Sequence, residues 1–400
     1  MNTQRLKKLQ NSLERPLLIK KKENLLYLTG RSFMHGYLLI KPRNTRACLP
    51  AGRDSDAERR GNESVVFLGD GLERMEGIKL DFLKNVGKYI GRNQTLEVFG
   101  EFTYAEVKYI RVKNPDLRLK ILVKRDPVDY QRQIKDIDEI AKVRKSMQIV
   151  ERVFGLVRRE IKKSGMTEAR LAKFIQSAGL KMGADDISFP AIVAGGANAA
   201  VPHHVPSSKK LKAGESIILD FGFKYQNYCS DFTRTVFLKK VPKRLEMAYN
   251  QVEKAYNESI NFCNLSAPLG HLPSGGENSV DVPMTGKTAF PPSPSEERGR
   301  GEVVTGNDLY QRAVDVLAEK HLEKYFIHSL GHGTGLEIHE LPNLSPGSKD
   351  VLKDGMVFSI EPGVYFPKQG GIRIEDLVYL EKGKVKKFIN VPTKVQDNVL

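Results

Sequence analysis

The chain has 400 residues, 40% of them hydrophobic, and carries a formal net charge of +16. That length suits two domains with large cores, and the apolar content is ordinary for a soluble globular protein. Cys48, Cys229 and Cys263 lie too far apart for a thiolate zinc site, and no apolar run reaches the roughly 18–20 residues that span a bilayer. The first residues lack the apolar core and cleavage pattern of a leader, and scattered cysteines fit a reducing compartment, so a cytoplasmic protein without a membrane partner is expected. The charge raises nucleic acid as a partner. Residues 1–62 hold fourteen Lys/Arg against five Asp/Glu. No aromatic-interleaved basic stripe or zinc finger accompanies them, and nucleic-acid binding is not expected.

In chain order, Leu6, Leu9 and Leu13 follow helical spacing in a basic amphipathic opening. Strands YLLI (37–40) and SVVFLG (64–69) then alternate with a helix over DFLKNVGKYIG (81–91), an α/β pattern running to residue 124. Residues 42–64 interrupt it as a flexible insertion. A Pro-containing connector near 125 leads into a long amphipathic helix with Ile137, Ile140, Ala141, Val143 and Met147 on its apolar face and Gly165 as its stop. The next helix (167–183) has Ser164 or Thr167 for its cap. Helices over 242–263 and 307–321 flank 264–302, a Pro-, Gly- and Ser-rich stretch read as a second flexible insertion. The expected domains are therefore 1–124 and 125–400.

The strongest signal is two segments whose strands each carry paired acids. In SIILDFGFKYQNYCSDFTRTVFL (216–238), polar KYQN separates two apolar runs, and a turn centred between Tyr225 and Gln226 would make Asp220 face Asp231. In MVFSIEPGVYFPKQGGIRIEDLVYL (356–380), a turn centred on Lys368 makes Glu361 face Glu375, with a bulge or edge at Pro362. Between the segments lies HSLGHGTGLEIHE (328–340), with His332. Directly opposed Cβ atoms lie roughly 4.5–5.5 Å apart, where like charges repel unless a cation lies between them. Asp and Glu are depleted in strands, and buried carboxylates must be paired or bind metal. Four acids with one imidazole suit a divalent ion such as Mn, Co, Fe or Zn. Two similar hairpins also suggest a pseudo-repeated architecture.

These segments, with AGGANAAVPHH (194–204) and, more weakly, NLLYLTG (24–30) and GYLLI (36–40), resemble the pita-bread metallopeptidases of the Xaa-Pro aminopeptidase and prolidase group. The resemblance implies an α/β (α+β) chain, with a creatinase-like N-terminal domain before a pita-bread catalytic domain of pseudo-twofold hairpins. It implies two divalent ions, manganese foremost, held by Asp220, Asp231, His332, Glu361 and Glu375, with Asp231 and Glu375 bridging. His203 and His339 are implied as outer catalytic histidines. His204, beside His203, reads as a solvated loop residue. A homodimer acting on peptides with proline second is also implied.

The reaction this implies is hydrolysis of the bond before proline by a hydroxide bridging the two ions. His203 or His339 would donate to the oxyanion, and Glu361 would carry a proton to the leaving nitrogen. Arg373 lies two residues before Glu375 and so on the same strand face. It reads equally as a substrate-binding residue or as a structural ion pair, and the GGIRIED form around it favours the Xaa-Pro group over methionine aminopeptidases. A methionine aminopeptidase, or a non-catalytic peptide-binding relative of the fold, are the alternatives. Aminopeptidase and dipeptidase remain open.

Overall fold

The computed structural model describes residues 2–31, 36–42, 65–68, 79–81, 83–90, 94–99, 102–122, 126–266 and 303–400. The expected insertions at 42–64 and 264–302 lie outside the described residues except at their margins, as does the domain boundary expected after residue 124. Two compact units are present, Met1–Arg132 and Gln133–Leu400. Among the described residues no helix is long and apolar enough to cross a membrane.

The first unit runs α1 (Thr3–Ser12), β1 (Leu17–Ile19), α2 (Lys22–Thr29), β2 (Tyr37–Ile40), β3 (Val65–Leu68), β4 (Lys79–Asp81), α3 (Gly87–Ile90), β5 (Thr95–Phe99), α4 (Tyr104–Lys113), β6 (Arg118–Leu122) and α5 (Pro127–Arg132). Its sheet has the order β4-β3-β2-β1-β5-β6 and is mixed: β1 runs parallel to β5 and antiparallel to β2. Leu18, Leu39, Val66, Leu96 and Val98 form its core with Tyr89 and Ile110 from the helices. Asn2 caps α1, which buries Leu6 and Leu9, and Thr103 with Glu106 forms a reciprocal capping box on α4.

The second unit opens with α6 (Ile137–Glu160) and α7 (Glu168–Lys181). Asp136 and Glu139 close a capping box at the start of α6. The buried face of α6 is Val143, Met147, Val150, Val153, Phe154 and Val157. Ile137, expected on that face, is 85% exposed, because it sits in the first turn ahead of the sheet contact. Strands β7 (Asp186–Ile187), β8 (Ile192–Gly195), β9 (Ser216–Asp220), β10 (Phe223–Tyr225), β11 (Tyr228–Cys229) and β12 (Phe232–Phe237) follow. Helices α8 (Lys243–Ser266) and α9 (Gly306–Ala318) pack together through Tyr249, Val252, Tyr256, Leu309, Ala313 and Val316. The chain ends with β13 (Gly331–Gly333), β14 (Glu340–Leu344), β15 (Val357–Ile360), β16 (Gly363–Phe366), β17 (Gly370–Arg373), β18 (Glu375–Glu381) and β19 (Lys384–Lys387).

The main sheet has the order β14-β13-β15-β18-β12-β9-β8, with β19 also paired to β18. Its centre is the antiparallel pair β12/β18, where Thr233 faces Glu375. Each central strand is the return arm of one carboxylate hairpin, so the two hairpins sit back to back. Phe154 of α6 meets Phe232 edge-on at 5.2 Å between ring centroids, fixing a helix against this centre.

The first hairpin differs from expectation by two residues. Tyr225 pairs with Tyr228, and Asp220 pairs with Thr233 rather than Asp231. The cause is the turn: Gln226 and Asn227 both have positive φ (48° and 68°), as a two-residue hairpin turn requires. A shift of two preserves the strand face, so Asp220 and Asp231 still point the same way. In the second hairpin the expected register holds. Gly363 pairs with Arg373 and Ile360 with Asp376, and Lys368 in the turn has φ 63°. Glu361 and Pro362 lie at the break where β15 leaves the main sheet and β16 joins β17 in a separate ribbon.

Candidate metal centre and active site

The middle of the main sheet gathers the acids. Asp220 ends β9, Asp231 immediately precedes β12, Glu361 immediately follows β15, and Glu375 starts β18. Asp220, Asp231 and Glu375 are all buried. His332 enters from β13. Its Nε2 lies 3.5 Å from Asp231 Oδ2 and 3.4 Å from Glu361 Oε1. Its Nδ1 is 3.1 Å from the Gly333 carbonyl and so carries the proton, leaving the Nε2 lone pair toward the carboxylates. Asp231, His332 and Glu375 each offer an atom within 4.8 Å of the others.

Burial pushes all four carboxyls up. For Asp231 and Glu375 the rise is large, because burial is reinforced by the charges of neighbouring acids. Glu361 is pushed up by burial to about 7, against the opposing pull of Arg373. Asp220 is raised by burial and pulled back mainly by Arg373. Burial, with His339 nearby, drives His332 down to about 4, so its imidazole is neutral near pH 7. Like charges about 4 Å apart cost about 4 kcal/mol per pair at an effective dielectric of 20. One guanidinium cannot neutralise four such acids.

Asp220 Oδ1 and Glu375 Oε1 are buried and accept no hydrogen bond. Buried carboxylate oxygens normally have partners, and an orphan costs about 1–3 kcal/mol or more when charged. Four carboxylates, one neutral imidazole and two orphaned oxygens fit divalent cations.

Arg373 is held as an ion pair rather than left open toward solvent. Its guanidinium binds Asp220 Oδ2, Tyr365 Oη at 2.7 Å and Thr233 Oγ1 at 3.2 Å. Tyr365 Oη also lies 2.9 Å from His328 Nε2, and His328 Nδ1 lies 2.7 Å from the Ser329 carbonyl. Burial holds His328 down at about 3, so its neutral ring accepts the Tyr365 proton. Thr233 donates to Glu375 Oε2 at 2.7 Å, and Ser359 donates to Glu361 Oε1 at 3.2 Å. Sequence reasoning gave none of Thr233, His328, Ser359 or Tyr365 a role. Their signal was their place inside the strands and motifs already singled out.

The outer histidines occupy the rim. His203 and His339 are both exposed. The His339 ring meets the His332 ring edge-on at 4.3 Å; His203 lowers the buried Asp220, and burial lowers His339 against the upward pull of Asp220. His204 is not a solvated loop residue. Its Nε2 lies 2.9 Å from the buried Glu168 carboxylate, which pins the ring.

Metallopeptidase family M24 matches residues 141–272 and 300–382, more than half of the sequence and the whole of this cluster. The chain belongs to that family. A Xaa-Pro dipeptidase of Pyrococcus furiosus is 28% identical over 380 residues, covering 95% of this chain and 94% of that one. An uncharacterized peptidase of Bacillus subtilis is 30% identical over 372 residues, 92% of this chain and 91% of that one. The match spans only 59% of a Mycoplasma pneumoniae relative, at 35% identity. Among solved structures, the prolidase from Pyrococcus furiosus superposes with a TM-score of 0.74 at 26% identity, over 97% of this chain and 99% of that one. A Xaa-Pro dipeptidase from Bacillus anthracis gives 0.76 at 25% identity, over 97% of both chains. The M24 pita-bread fold expected from the sequence is therefore the fold of this chain.

Proposed function

We propose that this M24 chain is a dinuclear-metal exopeptidase that hydrolyses the peptide bond before proline. The observation that carries the reading is the buried cluster of Asp231, His332 and Glu375, whose donor atoms lie within 4.8 Å of one another, beside two unpartnered carboxylate oxygens. The residues that would hold the ions are Asp220, Asp231, His332, Glu361 and Glu375. When bound, the ions would supply an acidified water and polarise the scissile carbonyl. Manganese suits this oxygen-rich set. A homodimer, which the resemblance implies, and a cytoplasmic location, which the scattered cysteines suit, are part of the same reading.

The chain's own groups would do the rest. Glu361, whose Oε1 accepts from Ser359 at the edge of the cluster, is the carboxylate assigned to proton delivery to the leaving nitrogen. His203 and His339 on the rim can donate to the developing oxyanion. Arg373, tied to Asp220 and Tyr365, holds Asp220 in one orientation with Oδ1 unengaged. A prolyl nitrogen carries no hydrogen, so recognition must come from shape and from groups on either side of the scissile bond.

The test is turnover of Ala-Pro, a longer Xaa-Pro peptide and Met-Ala after chelation and after manganese add-back. Metal-dependent cleavage before proline is expected, and the ratio of the first two rates separates dipeptidase from aminopeptidase. Cleavage of Met-Ala alone, or of none, would sink the reading.

A further inference from the structure

Glu168 lies outside the metal cluster, yet it is completely buried in the first turn of α7. Its carboxylate gathers donors from one loop. Oε1 accepts from Gly195 N at 2.9 Å and Asn198 Nδ2 at 2.9 Å. Oε2 accepts from Asn198 Nδ2 at 3.1 Å, Ser207 N at 3.0 Å and Ser207 Oγ at 2.6 Å, and lies 2.9 Å from His204 Nε2. Burial pushes this carboxyl up, but the hydrogen bonds outweigh it and hold the group at about 2. It is ionised at any working pH. Backbone bonds reinforce the grip: Glu168 N donates to Lys209 O at 3.1 Å and Ala169 N to Ser207 O at 2.9 Å.

The gripped loop, 195–207, is the one that carries His203. Its other side lies against β17. A Cβ on Gly371 would fall 2.1 Å from the Ala199 carbonyl, so the two backbones touch. The Pro202 carbonyl accepts from Arg373 Nη1 at 3.5 Å. Glu168 thus holds both ends of a short loop whose middle meets Arg373 and presents His203 near Asp220.

We propose that Glu168 is a positioning residue for this site: its carboxylate clamps loop 195–207 and thereby sets where His203 and the Pro202 carbonyl stand beside Asp220 and Arg373. The clamp needs an acceptor on both oxygens. Gly195 N and Ser207 N can only donate, and an ionised carboxylate can only accept, so His204 turns an N–H toward it. A glutamine of the same shape fails, because in either orientation its NH2 faces a backbone N–H, Gly195 on one side or Ser207 on the other. The link to catalysis rests on the peptidase reading above; the clamp itself does not.

Glu168→Gln in the full chain tests this, with Ser207→Ala as a milder variant that removes one donor. In chelated protein, Glu168→Gln is expected to speed amide hydrogen exchange over 196–207 at least tenfold, with exchange in β9 changed less than twofold. Ser207→Ala should move the same amides in the same direction by a smaller factor. Unchanged loop exchange in both variants overturns the clamp, whether or not the chain cleaves any peptide. On an Xaa-Pro substrate, Glu168→Gln should lower kcat/KM at least tenfold. Combined with His203→Ala it should add less than twofold to the loss from His203→Ala alone. Multiplying losses would mean that Glu168 does not act through His203.

Discussion

Removing metal should make stability fall as pH rises through neutrality. The Glu361 carboxyl moves from 4.5 to about 7 in the folded chain. A folded-state value above the unfolded one means that the folded state binds more protons between the two. The stabilisation is then complete below about 4.5 and is lost as pH climbs to about 7. The whole difference is worth about 3 kcal/mol, of which about 1 kcal/mol is lost between pH 6.5 and 8. Asp231 and Glu375 act with the same sign, each by about 1.4 kcal/mol per pH unit while it keeps its proton. The buried histidines run the other way. His332 and His328 are lowered to about 4 and about 3, and half of their unfolded-state titration still lies above pH 6.5, so each adds back about 0.4 kcal/mol between pH 6.5 and 8. Together they offset Glu361, and the net fall over this range comes from Asp231 and Glu375. For a unit of this size 1 kcal/mol moves Tm by about 2–4 °C, so the chelated protein should melt at least about 2 °C lower at pH 8. A saturating divalent ion displaces those protons, and its stabilisation should be larger at pH 8 than at pH 6.5. Calorimetry of chelated and manganese-loaded protein across this range reads both effects. A chelated Tm that is flat or rising, with a metal effect independent of pH, would refute the account of four acids sharing one buried space.

Asp231→Asn removes one of those charges while keeping its shape. It should bind less metal by elemental analysis and lose activity by at least a hundredfold, yet its chelated form should melt above the chelated wild type at pH 8. Full activity with full metal content would show that Asp231 is not a ligand. Arg373→Lys keeps the charge but cannot reproduce the fork to Asp220, Tyr365 and Thr233. Losing those charge-assisted bonds should cost about 1.5–3 kcal/mol in urea unfolding, and an unchanged midpoint would refute the structural reading of Arg373.

The acids were legible because charge in an apolar strand is conspicuous, and because a two-residue period fixes which residues share a face. That is why Asp220 and Asp231 could be placed on one side even though their register was off by two. The register itself depended on Gln226 and Asn227 adopting left-handed backbone, which neither residue advertises as glycine would. The partners of Arg373 were less visible. Thr233 reaches it from the other hairpin and Tyr365 from the facing strand, with His328 behind Tyr365, and tyrosine in an apolar strand looks like ordinary core. Glu168 was hidden for another reason. An acid in the first turn of a helix already has a local explanation in the helix dipole, and nothing in sequence shows that loop 195–207 folds over it.

The two-residue offset explains why two similar hairpins make an unequal site. Continuing each register, Glu375 faces Glu361, whereas Asp231 faces Gly222. A carboxylate at 222 is impossible, since a Cβ there would lie 1.9 Å from the Ser230 carbonyl. The first hairpin therefore supplies its second acid from Asp220, two residues back on the same face and opposite Thr233. Directly opposed strand positions have Cβ atoms roughly 4.5–5.5 Å apart and diagonal ones roughly 7–8 Å. Arg373 pairs its guanidinium with Asp220, while the neutral His332 stands against Asp231 and Glu361. Asp220 thus has a fixed cation beside it, and Glu361 has only a neutral imidazole. Two ions bound here would not be equivalent, and the one beside Asp220, next to a guanidinium, should be the more weakly held. Titrating the chelated protein with manganese should show two unequal affinities, and Asp220→Asn should remove the weaker one. A single affinity for both ions, or loss of the tighter step in that variant, would refute the link between the offset and the inequality.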